Sequence, residues 1–257
     1  MSALSICVVA AVNDDEVLAR NLASSPMIAG GDVPLACYRD ATSASQAYNL
    51  GLDESEADIV VFAHQDVFLP AGWDATLRDA IAVIEADDPD WGVIGAWGLD
   101  EVGEYVGNAW SSGLSRKLGG KLVTPRRAVA IDEFVIVLRR ASGLRFDENL
   151  PHFHFYAADI VLTAREAGLS TWVADLPAIH NSKPVQSYAG GYTRAWDYMR
   201  RKWRQHIPLR TLTVPLSASR LPLWRAKFWL RRSLKGRLAR ATDPKTDPRE
   251  LLHHLDL

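Results

Sequence analysis

The 257-residue sequence has few of the features that mark secreted or membrane-spanning proteins. Its only cysteines, Cys7 and Cys37, lie in apolar stretches typical of strands, which argues against a disulfide framework or a cysteine-rich metal site. The chain does not begin with a basic segment followed by a long apolar one, and no apolar run approaches the roughly 18–20 residues of a membrane span. We therefore expect a soluble protein of a reducing compartment, the cytoplasm.

A large excess of charge of either sign is also lacking. The formal net charge is −2, so overall charge gives the chain no attraction to nucleic acid. Tryptophan, by contrast, is abundant, with nine residues in a chain that is 48% hydrophobic. Aromatic side chains serve as platforms for sugars, bases or partners, or they fill cores and interfaces, and composition leaves both interpretations open.

Strand-like and helix-like segments alternate through the first hundred residues. Continuous apolar runs predict buried strands, and apolar residues at helical spacing between them predict helices. This alternation is typical of an α/β fold with a mostly parallel sheet flanked by helices. The predicted strands are 4–12, 33–39, 59–62 and 91–97, and the predicted helices are 16–22, 43–53 and 74–86.

Polar residues directly follow three of these predicted strands. Asn13 and Asp40 end the first two, and the triplet His64-Gln65-Asp66 ends the third. Open α/β sheets bind ligands at the carboxyl ends of their strands, so these residues are candidates for a ligand site. The competing interpretation is local, because Asn13 or Asp14 can also cap the helix that follows.

The middle of the chain contains two unusual segments. Residues 98–127 hold six glycines with no sustained period, which predicts a long irregular or hairpin segment. Residues 128–139 return to strand character, but Asp132 and Glu133 interrupt it. Because unpaired buried charge is unfavourable, this pair is either an exposed bulge or an acidic pair that faces a substrate.

The last part of the chain changes in composition. Residues 188–240 predict two basic, aromatic helices joined by a proline-containing linker, and residues 243–257 predict a short, mobile end. Three interpretations of the helices stay open: packing on the core with solvated charges, an interfacial helix on anionic lipid, or a basic lid over phosphate-bearing substrates. The change divides the chain into a predicted domain of residues 1–187 and a helical extension of residues 188–257.

Several short motifs occur in an order that resembles a known family. They are VNDDEVL at 12–18, AYNLGL at 47–52, FAHQDV at 62–67, FHFY at 153–156 leading to Asp159, AREAG at 164–168 and HNS at 180–182. Over roughly residues 5–187 the chain is similar to the family 2 glycosyltransferases with a GT-A fold. Within that family it resembles the StrF-like branch, named for a streptomycin biosynthesis protein.

The resemblance implies a nucleotide-sugar donor and a divalent cation. His64-Gln65-Asp66 stands where the family has an Asp-x-Asp motif that holds Mg²⁺ or Mn²⁺ against the donor diphosphate, and His64 replaces the first Asp. His180 stands where several GT-A enzymes supply a metal-ligating histidine. The implied metal ligands are therefore Asp66 and His180, and an imidazole ligand shifts the preference toward Mn²⁺.

The base implied by the family departs from its usual pattern. The family's Glu-Asp pair aligns near Tyr156-Ala157, where neither side chain is a carboxylate. Asp159 is our first candidate for the base that deprotonates the acceptor hydroxyl, and Asp132, Glu133 and His154 are the alternatives. For His154, packing among the neighbouring aromatic side chains is the competing interpretation.

The resemblance also implies residues that contact the donor or a sugar. The first two strand ends face the nucleobase and ribose, an asparagine lies near the donor, and a tryptophan of the long irregular segment can stack on a sugar. Together with the first two residues of the triplet, these are Asn13, Asp40, Asn49, Trp110, His64 and Gln65.

The predicted reaction is an inverting transfer of a hexose-type sugar to a carbohydrate or other hydroxyl acceptor by single displacement, with no nucleic acid as partner. Peripheral contact with the inner face of a membrane through the C-terminal basic helices is part of this prediction. The alternative is a noncatalytic nucleotide-sugar or glycan-binding module that has lost its base.

Overall fold

A computed structural model describes residues 4–188 and 191–257 of the chain. Within those residues lie twelve strands and seven α-helices. The strands are β1 (Ile6–Val12), β2 (Leu35–Arg39), β3 (Ile59–Ala63), β4 (Val67–Phe68), β5 (Trp91–Gly95), β6 (Trp97–Asp100), β7 (Tyr105–Ser111), β8 (Arg116–Gly120), β9 (Arg126–Ile131), β10 (Val135–Arg139), β11 (Ser170–Val173) and β12 (Ala178–His180). The α-helices are α1 (Asp15–Arg20), α2 (Pro26–Ala29), α3 (Ala44–Glu54), α4 (Trp73–Asp87), α5 (Tyr156–Glu166), α6 (Gly191–Lys202) and α7 (Leu221–Arg240).

The first three strands lie side by side and run parallel, with β1 between β2 and β3. All five residues of β3 are buried, as expected for a strand covered on both faces. Asp14 caps α1 by accepting hydrogen bonds from the backbone N–H groups of Glu16 and Val17. The predicted alternation of strands and helices in this part of the chain is confirmed.

The complete sheet is mixed, so the expectation of a mostly parallel sheet is wrong. Among the described strands, four pairings are parallel and seven are antiparallel. The strand order is β2-β1-β3-β10-β5-β11-β9-β6-β7-β12-β4, with β8 paired to β7. Two of the antiparallel pairings arise from β10, which inserts between β3 and β5, and four others involve β7 or β9. Alternation of strands and helices predicts crossovers but not which later strand fills the gap between two earlier ones.

Residues 98–127, predicted as an irregular or hairpin segment, lie largely in an antiparallel array of β6, β7, β8 and β9. Its glycines permit close approach of backbones. Gly107 has a φ of +127°, and a Cβ there would lie 2.3 Å from the carbonyl oxygen of Ala96. Gly119 has a φ of +73°, and a Cβ there would lie 2.2 Å from the carbonyl oxygen of Gly107. Glycine is therefore required at these two positions, where the backbones of neighbouring strands come too close together for a side chain.

The first C-terminal helix shares a hydrophobic cluster with the sheet. Tyr192, Trp196 and Met199 of α6 are buried in the cluster that contains Val93 of β5 and Phe155 beside α5. The predicted boundary between residues 187 and 188 therefore does not separate two hydrophobic cores. Among the described residues of α7, by contrast, only Leu223 is fully buried.

The end of the chain is anchored, which corrects the prediction of a mobile end. A 3-10 helix (Pro248–His254) places Leu251 in a small cluster with Phe68 and Ile179, and Leu255 joins the same cluster. The segment is too short for a hydrophobic periodicity that would predict such packing. Of the helices that the structure describes, none is long and apolar enough to cross a membrane.

Candidate functional site

Three of the polar strand ends meet at one edge of the sheet. Asn13 and Asp40 directly follow Val12 and Arg39, the last paired residues of β1 and β2, and both are exposed. The Oε1 of Gln65 accepts hydrogen bonds from the backbone N–H groups of Asn13 and Asp14 at 2.9 and 3.1 Å. The Nε2 of Gln65 donates to the Oδ1 of Asn13 at 2.5 Å. The three parallel strands thus gather Asn13, Asp40 and Gln65 at their carboxyl ends.

His64, Asp66 and His180 lie close together beside this edge. His64 and Asp66 occupy the turn between β3 and β4, and His180 ends β12, where it pairs with Val67 of β4. The Nε2 of His180 lies 3.4 Å from the Oδ1 of Asp66, and the Nδ1 of His64 lies 3.9 Å from the same oxygen. The two imidazole nitrogens are 3.5 Å apart. These three ligand atoms lie within 4.8 Å of one another, a spacing at which they can share a cation.

Asp66 is the charged member of the cluster, and its Oδ1 is buried without a hydrogen bond. Burial would raise the pKa of Asp66, but His180 and His64 lower it to about 2, so the carboxyl group is ionised at neutral pH. Burial would likewise lower the pKa of His180, but Asp66 and Asp132 raise it. A protonated His180 supplies the counter-charge of this buried carboxylate, and once His180 releases its proton the site offers one oxygen and two nitrogens to a divalent cation. The residues present therefore fit the implied metal.

Tyr156, the first residue of α5, fixes which nitrogen of His64 faces the cluster. Its hydroxyl donates to the carbonyl oxygen of Glu133 at 3.1 Å, which uses its single proton. The Nε2 of His64 lies 2.6 Å from the same hydroxyl oxygen, and both contacts of the hydroxyl are satisfied when Nε2 is the donor. Burial lowers the pKa of His64 to about 4, so the ring is neutral at neutral pH. The lone pair is then on Nδ1, which faces Asp66 and His180, just as a hydrogen bond at the other ring nitrogen orients histidine ligands in metal sites.

The cluster opens into a cavity of about 470 Å³, within the size range of small-molecule sites. His64 and His180 form part of its wall, and most of the remaining wall is apolar. The junction of β9 and β10, the start of α5 and the segment after β12 also line the cavity. Leu230 and Arg237 of α7 line it as well, so the C-terminal part of the chain helps to enclose the cavity.

Asp132, Glu133 and His154 all line this cavity. The predicted strand 128–139 is two strands, and the acidic pair lies at the break between them. Burial raises the pKa of Asp132, although His180 opposes the shift. Burial and the neighbouring Asp132 raise the pKa of Glu133 well above its ordinary value. Burial lowers the pKa of His154. Carboxyl groups with raised pKa values in a cleft are suited to proton transfer.

Asp159, our first candidate for the base, lies elsewhere. Its side chain is 2% exposed and accepts hydrogen bonds from the Nζ of Lys202 at 2.9 Å and the Nε1 of Trp203 at 2.7 Å. It does not line the cavity. The reason is its position on α5, since the face that carries Asp159 packs on α6 and the start of the same helix faces the cavity.

Asn49 and Trp110 are also not brought to the cavity. Asn49 donates to the carbonyl oxygen of Phe146 and to Glu148, both at 2.9 Å, and accepts from the backbone N–H of Phe146 at 3.0 Å. The ring of Trp110 stacks on His254 with centroids 3.6 Å apart, so the end of the chain covers the face that we expected to meet a sugar.

Sequence reasoning missed several residues that the structure brings to the site. The sequence marks Tyr156 as part of the FHFY motif and as the position of a missing carboxylate, but its contact with His64 has no signal in local spacing. The ring of Phe134 stacks on His180 with centroids 5.1 Å apart. The cations Arg116, Lys183 and Arg237 line the cavity from three separate segments. The basic composition after residue 188 is the one available signal, and it places Arg237 in the helices for which a basic lid over phosphate-bearing substrates is one interpretation.

Comparison with known proteins identifies related chains. A family model described as a glycosyltransferase-like family matches residues 7–193. A protein of Fuscovulum blasticum named ATP synthase subunits region ORF 6 is 27% identical over 167 residues, which cover 60% of this chain and 62% of that protein.

Two solved structures are similar in fold to this chain to different degrees. GalNAc-T7, crystallised with UDP, GalNAc and Mn²⁺, is 13% identical with a TM-score of 0.51, and the match covers 99% of this chain and 58% of that chain. The mannosyltransferase PcManGT from Pyrobaculum calidifontis, in complex with GDP-Man and Mn²⁺, is 12% identical with a TM-score of 0.49, over 100% and 77% of the two chains. The chain thus spans about three-fifths of the length of the curated relative and of GalNAc-T7. The likeness to GalNAc-T7 shows the fold alone, and it confirms the predicted GT-A class as a mixed α/β sheet with flanking helices.

Proposed function

This chain belongs to the glycosyltransferase-like family, and from this premise we propose that it transfers a sugar from a nucleoside-diphosphate sugar to an acceptor hydroxyl. We place it in the StrF-like branch on the motifs from residue 12 to residue 182. The transfer is an inverting single displacement. The acceptor oxygen bonds to the anomeric carbon, the bond from that carbon to the diphosphate breaks, and the acceptor proton passes to a protein base.

The observation that carries the proposal is the convergence of the Oδ1 of Asp66, the Nε2 of His180 and the Nδ1 of His64 within 4.8 Å of one another, beside the cavity that both imidazoles line. Asp66, His180 and the Nδ1 of His64 would hold a divalent cation. When bound, the cation supplies positive charge that stabilises the leaving diphosphate. Two nitrogen ligands favour Mn²⁺ over Mg²⁺. The crystal complex of GalNAc-T7 contains Mn²⁺ together with UDP and GalNAc, and we extend that chemistry to this chain as part of the proposal.

We assign the base to Asp132. Its side chain lines the cavity beside His180, and its raised pKa makes the carboxylate a stronger proton acceptor. The pKa of Glu133 is raised further by burial and by Asp132, which favours a protonated Glu133 as a neighbour that can donate a hydrogen bond. His154 is the second candidate for the base, because burial holds its ring neutral. Asn13, Asp40 and Gln65 form the donor side at the strand ends.

The test separates donor binding from transfer. Thermal stability is measured with Mn²⁺ and each of the five common nucleoside diphosphates, and hydrolysis is measured with the corresponding sugar donors. We expect Mn²⁺-dependent stabilisation that Asp66→Asn abolishes, and turnover that Asp132→Asn lowers by roughly 10²–10⁴-fold without loss of binding. Asp79→Asn, an exposed carboxylate on α4, is the matched control and changes neither. Stabilisation that survives Asp66→Asn contradicts the metal assignment.

A noncatalytic nucleotide-sugar or glycan-binding module is the second candidate. The observation that favours it concerns Asp159, the acid nearest in sequence to the position of the family's acidic pair. Asp159 does not line the cavity and forms an ion pair with Lys202 at 2.8 Å. This alternative is supported if a nucleoside diphosphate stabilises the chain, no donor is hydrolysed, and Asp132→Asn leaves that stabilisation unchanged. A response to no nucleotide contradicts both functions. The hexose-type donor, the hydroxyl acceptor and the cytoplasmic location stay predictions.

A further inference from the structure

The outer face of α7 combines exposed aromatic side chains with unpaired cations. Trp224, Phe228 and Trp229 are 64%, 48% and 58% exposed. The rings of Trp224 and Phe228 stack with centroids 6.0 Å apart, and Phe228 meets Trp229 edge to face at 5.6 Å. The three rings therefore form one continuous patch on the helix surface. Large apolar side chains exposed in such a group mark an interaction surface.

The inner face of the same helix is already occupied. Leu223 is buried in the hydrophobic cluster shared with the sheet, and Leu230 and Arg237 line the cavity. The Nζ of Lys227 donates to the Oγ1 of Thr193 on α6 at 2.7 Å. These contacts fix α7 on the protein, so the aromatic patch faces outward as a consequence of how the helix packs.

Cations surround the aromatic patch. The helix carries seven Lys and Arg residues and no Asp or Glu. Within the part of the chain that the structure describes, no salt bridge involves the exposed Arg225, Arg231, Arg232, Lys235 or Arg240. Aromatic side chains interleaved with unpaired Lys and Arg are typical of helices that lie in the interface of an anionic bilayer.

The charge of the whole chain favours the same orientation. Residues 188–257 contain 16 basic and five acidic residues, whereas residues 1–187 contain 13 basic and 26 acidic residues. An anionic surface therefore attracts the face that carries α7 and repels the rest of the chain. A second copy of the chain is disfavoured as occupant, because two such helices would bring like charges together.

We propose that α7 binds the surface of an anionic membrane. Trp224, Phe228 and Trp229 lie at the level of the lipid headgroups, and Arg225, Arg231 and Arg232 contact lipid phosphates. Because Leu230 and Arg237 of the same helix line the cavity, this binding holds the cavity beside the membrane. The proposal does not depend on sugar transfer, and its test does not use activity.

The test is cosedimentation of the full chain with vesicles at about 0.1 M salt, where surface charges still act over about 10 Å. We expect binding to vesicles of phosphatidylglycerol and phosphatidylcholine in equal parts, and no binding to pure phosphatidylcholine. The triple variant Arg225→Gln/Arg231→Gln/Arg232→Gln is expected to bind at least roughly tenfold more weakly. The charge-matched control Arg140→Gln/Arg165→Gln/Arg204→Gln alters exposed arginines away from α7 and is expected to bind as the parent chain does.

A second pair of variants tests the aromatic patch. Trp224→Ser/Phe228→Ser/Trp229→Ser is expected to lose vesicle binding with unchanged thermal stability, since all three side chains are exposed. Val102→Ser/Val123→Ser, which alters side chains that are 81% and 99% exposed elsewhere, is the control. Failure of the parent chain to sediment with anionic vesicles overturns the proposal, as does equal loss in the charge-matched control. If the parent chain is a dimer that the aromatic variant dissociates, the patch binds a second copy of the chain and the proposal is overturned. Binding to single-stranded RNA without binding to vesicles overturns it in favour of RNA.

Discussion

The orientation of a single imidazole decides whether the cluster at the strand ends can take a cation. His64 turns its Nδ1 toward Asp66, and a proton on its Nε2 satisfies the contacts of the Tyr156 hydroxyl with both His64 and the carbonyl oxygen of Glu133. His180 differs in protonation, since Asp66 and Asp132 raise its pKa and favour its charged form. One histidine is therefore a ready ligand and the other must first release a proton.

We predict that Mn²⁺ affinity rises with pH. His180 keeps its proton below its raised pKa, and a cation must displace that proton, so affinity increases by about tenfold per pH unit there and levels off above the pKa. His64, with a pKa of about 4, adds no step near neutral pH. Calorimetric titration in buffers of different ionisation enthalpy measures the proton release.

The variant Asp132→Asn supplies the control for that profile. It removes one of the charges that raise the pKa of His180, so the levelling-off moves to lower pH. A profile that is flat between pH 5 and 8, the window in which histidine ordinarily titrates, contradicts the assignment of His180 as a ligand.

At the scale of elements, α5 and α6 are joined by a buried ionic contact. The Nζ of Lys202 lies 2.8 Å from Asp159 and 2.7 Å from Asp147, and Trp203 donates to Asp159 as well. The start of α5 carries Tyr156, so the contact that holds α5 also holds the partner of His64 in place.

We predict that Lys202→Met destabilises the fold by about 3 kcal/mol, because it leaves the carboxylate of Asp159 buried without its counter-charge. The neighbouring Arg201 is exposed and unpaired among the described residues, and Arg201→Met is expected to change stability by less than about 0.5 kcal/mol. Urea denaturation measures both variants. Equal effects of the two substitutions would show that the buried pair contributes nothing specific.

At the scale of the whole molecule, the C-terminal part completes both the core and the cavity. Trp196 and Trp203 are buried in the cluster that contains β5 and α5 side chains, and Arg237 lines the cavity. The division into two domains that composition predicts is therefore not a division of the hydrophobic core.

We predict that a chain ending after Ser187 does not fold on its own. Removal of residues 188–257 uncovers the surface on which Tyr192, Trp196 and Met199 pack. It also removes Lys202, the cation that neutralises Asp159. Circular dichroism during thermal unfolding of residues 1–187 is expected to show no cooperative transition. A cooperative transition near that of the full chain would establish the shorter piece as an independent domain.

Much of the sheet and part of the site followed from sequence because their signals are local. Apolar runs in residues 59–63 and helical spacing in residues 74–86 follow from contacts within one element, and parallel strands bring Asn13, Asp40 and Gln65 to one edge. The resemblance also predicts Asp66 and His180 as a pair, and their side chains lie 3.4 Å apart. Periodicity carries no information on the insertion of β10, on the contact of Tyr156 with His64, or on the cover of Trp110 by His254.

Sequence alone thus established the class of fold, the edge at which polar chemistry collects and the basic, aromatic character of residues 188–240. Tertiary structure decided which carboxyl groups face the cavity. Asp132 and Glu133 do so because a break between β9 and β10 turns them inward, whereas Asp159 faces Lys202 across two helices. The physical reason is that solvation and charge of a buried group depend on neighbours contributed by distant segments, and those neighbours are chosen only when the whole chain packs.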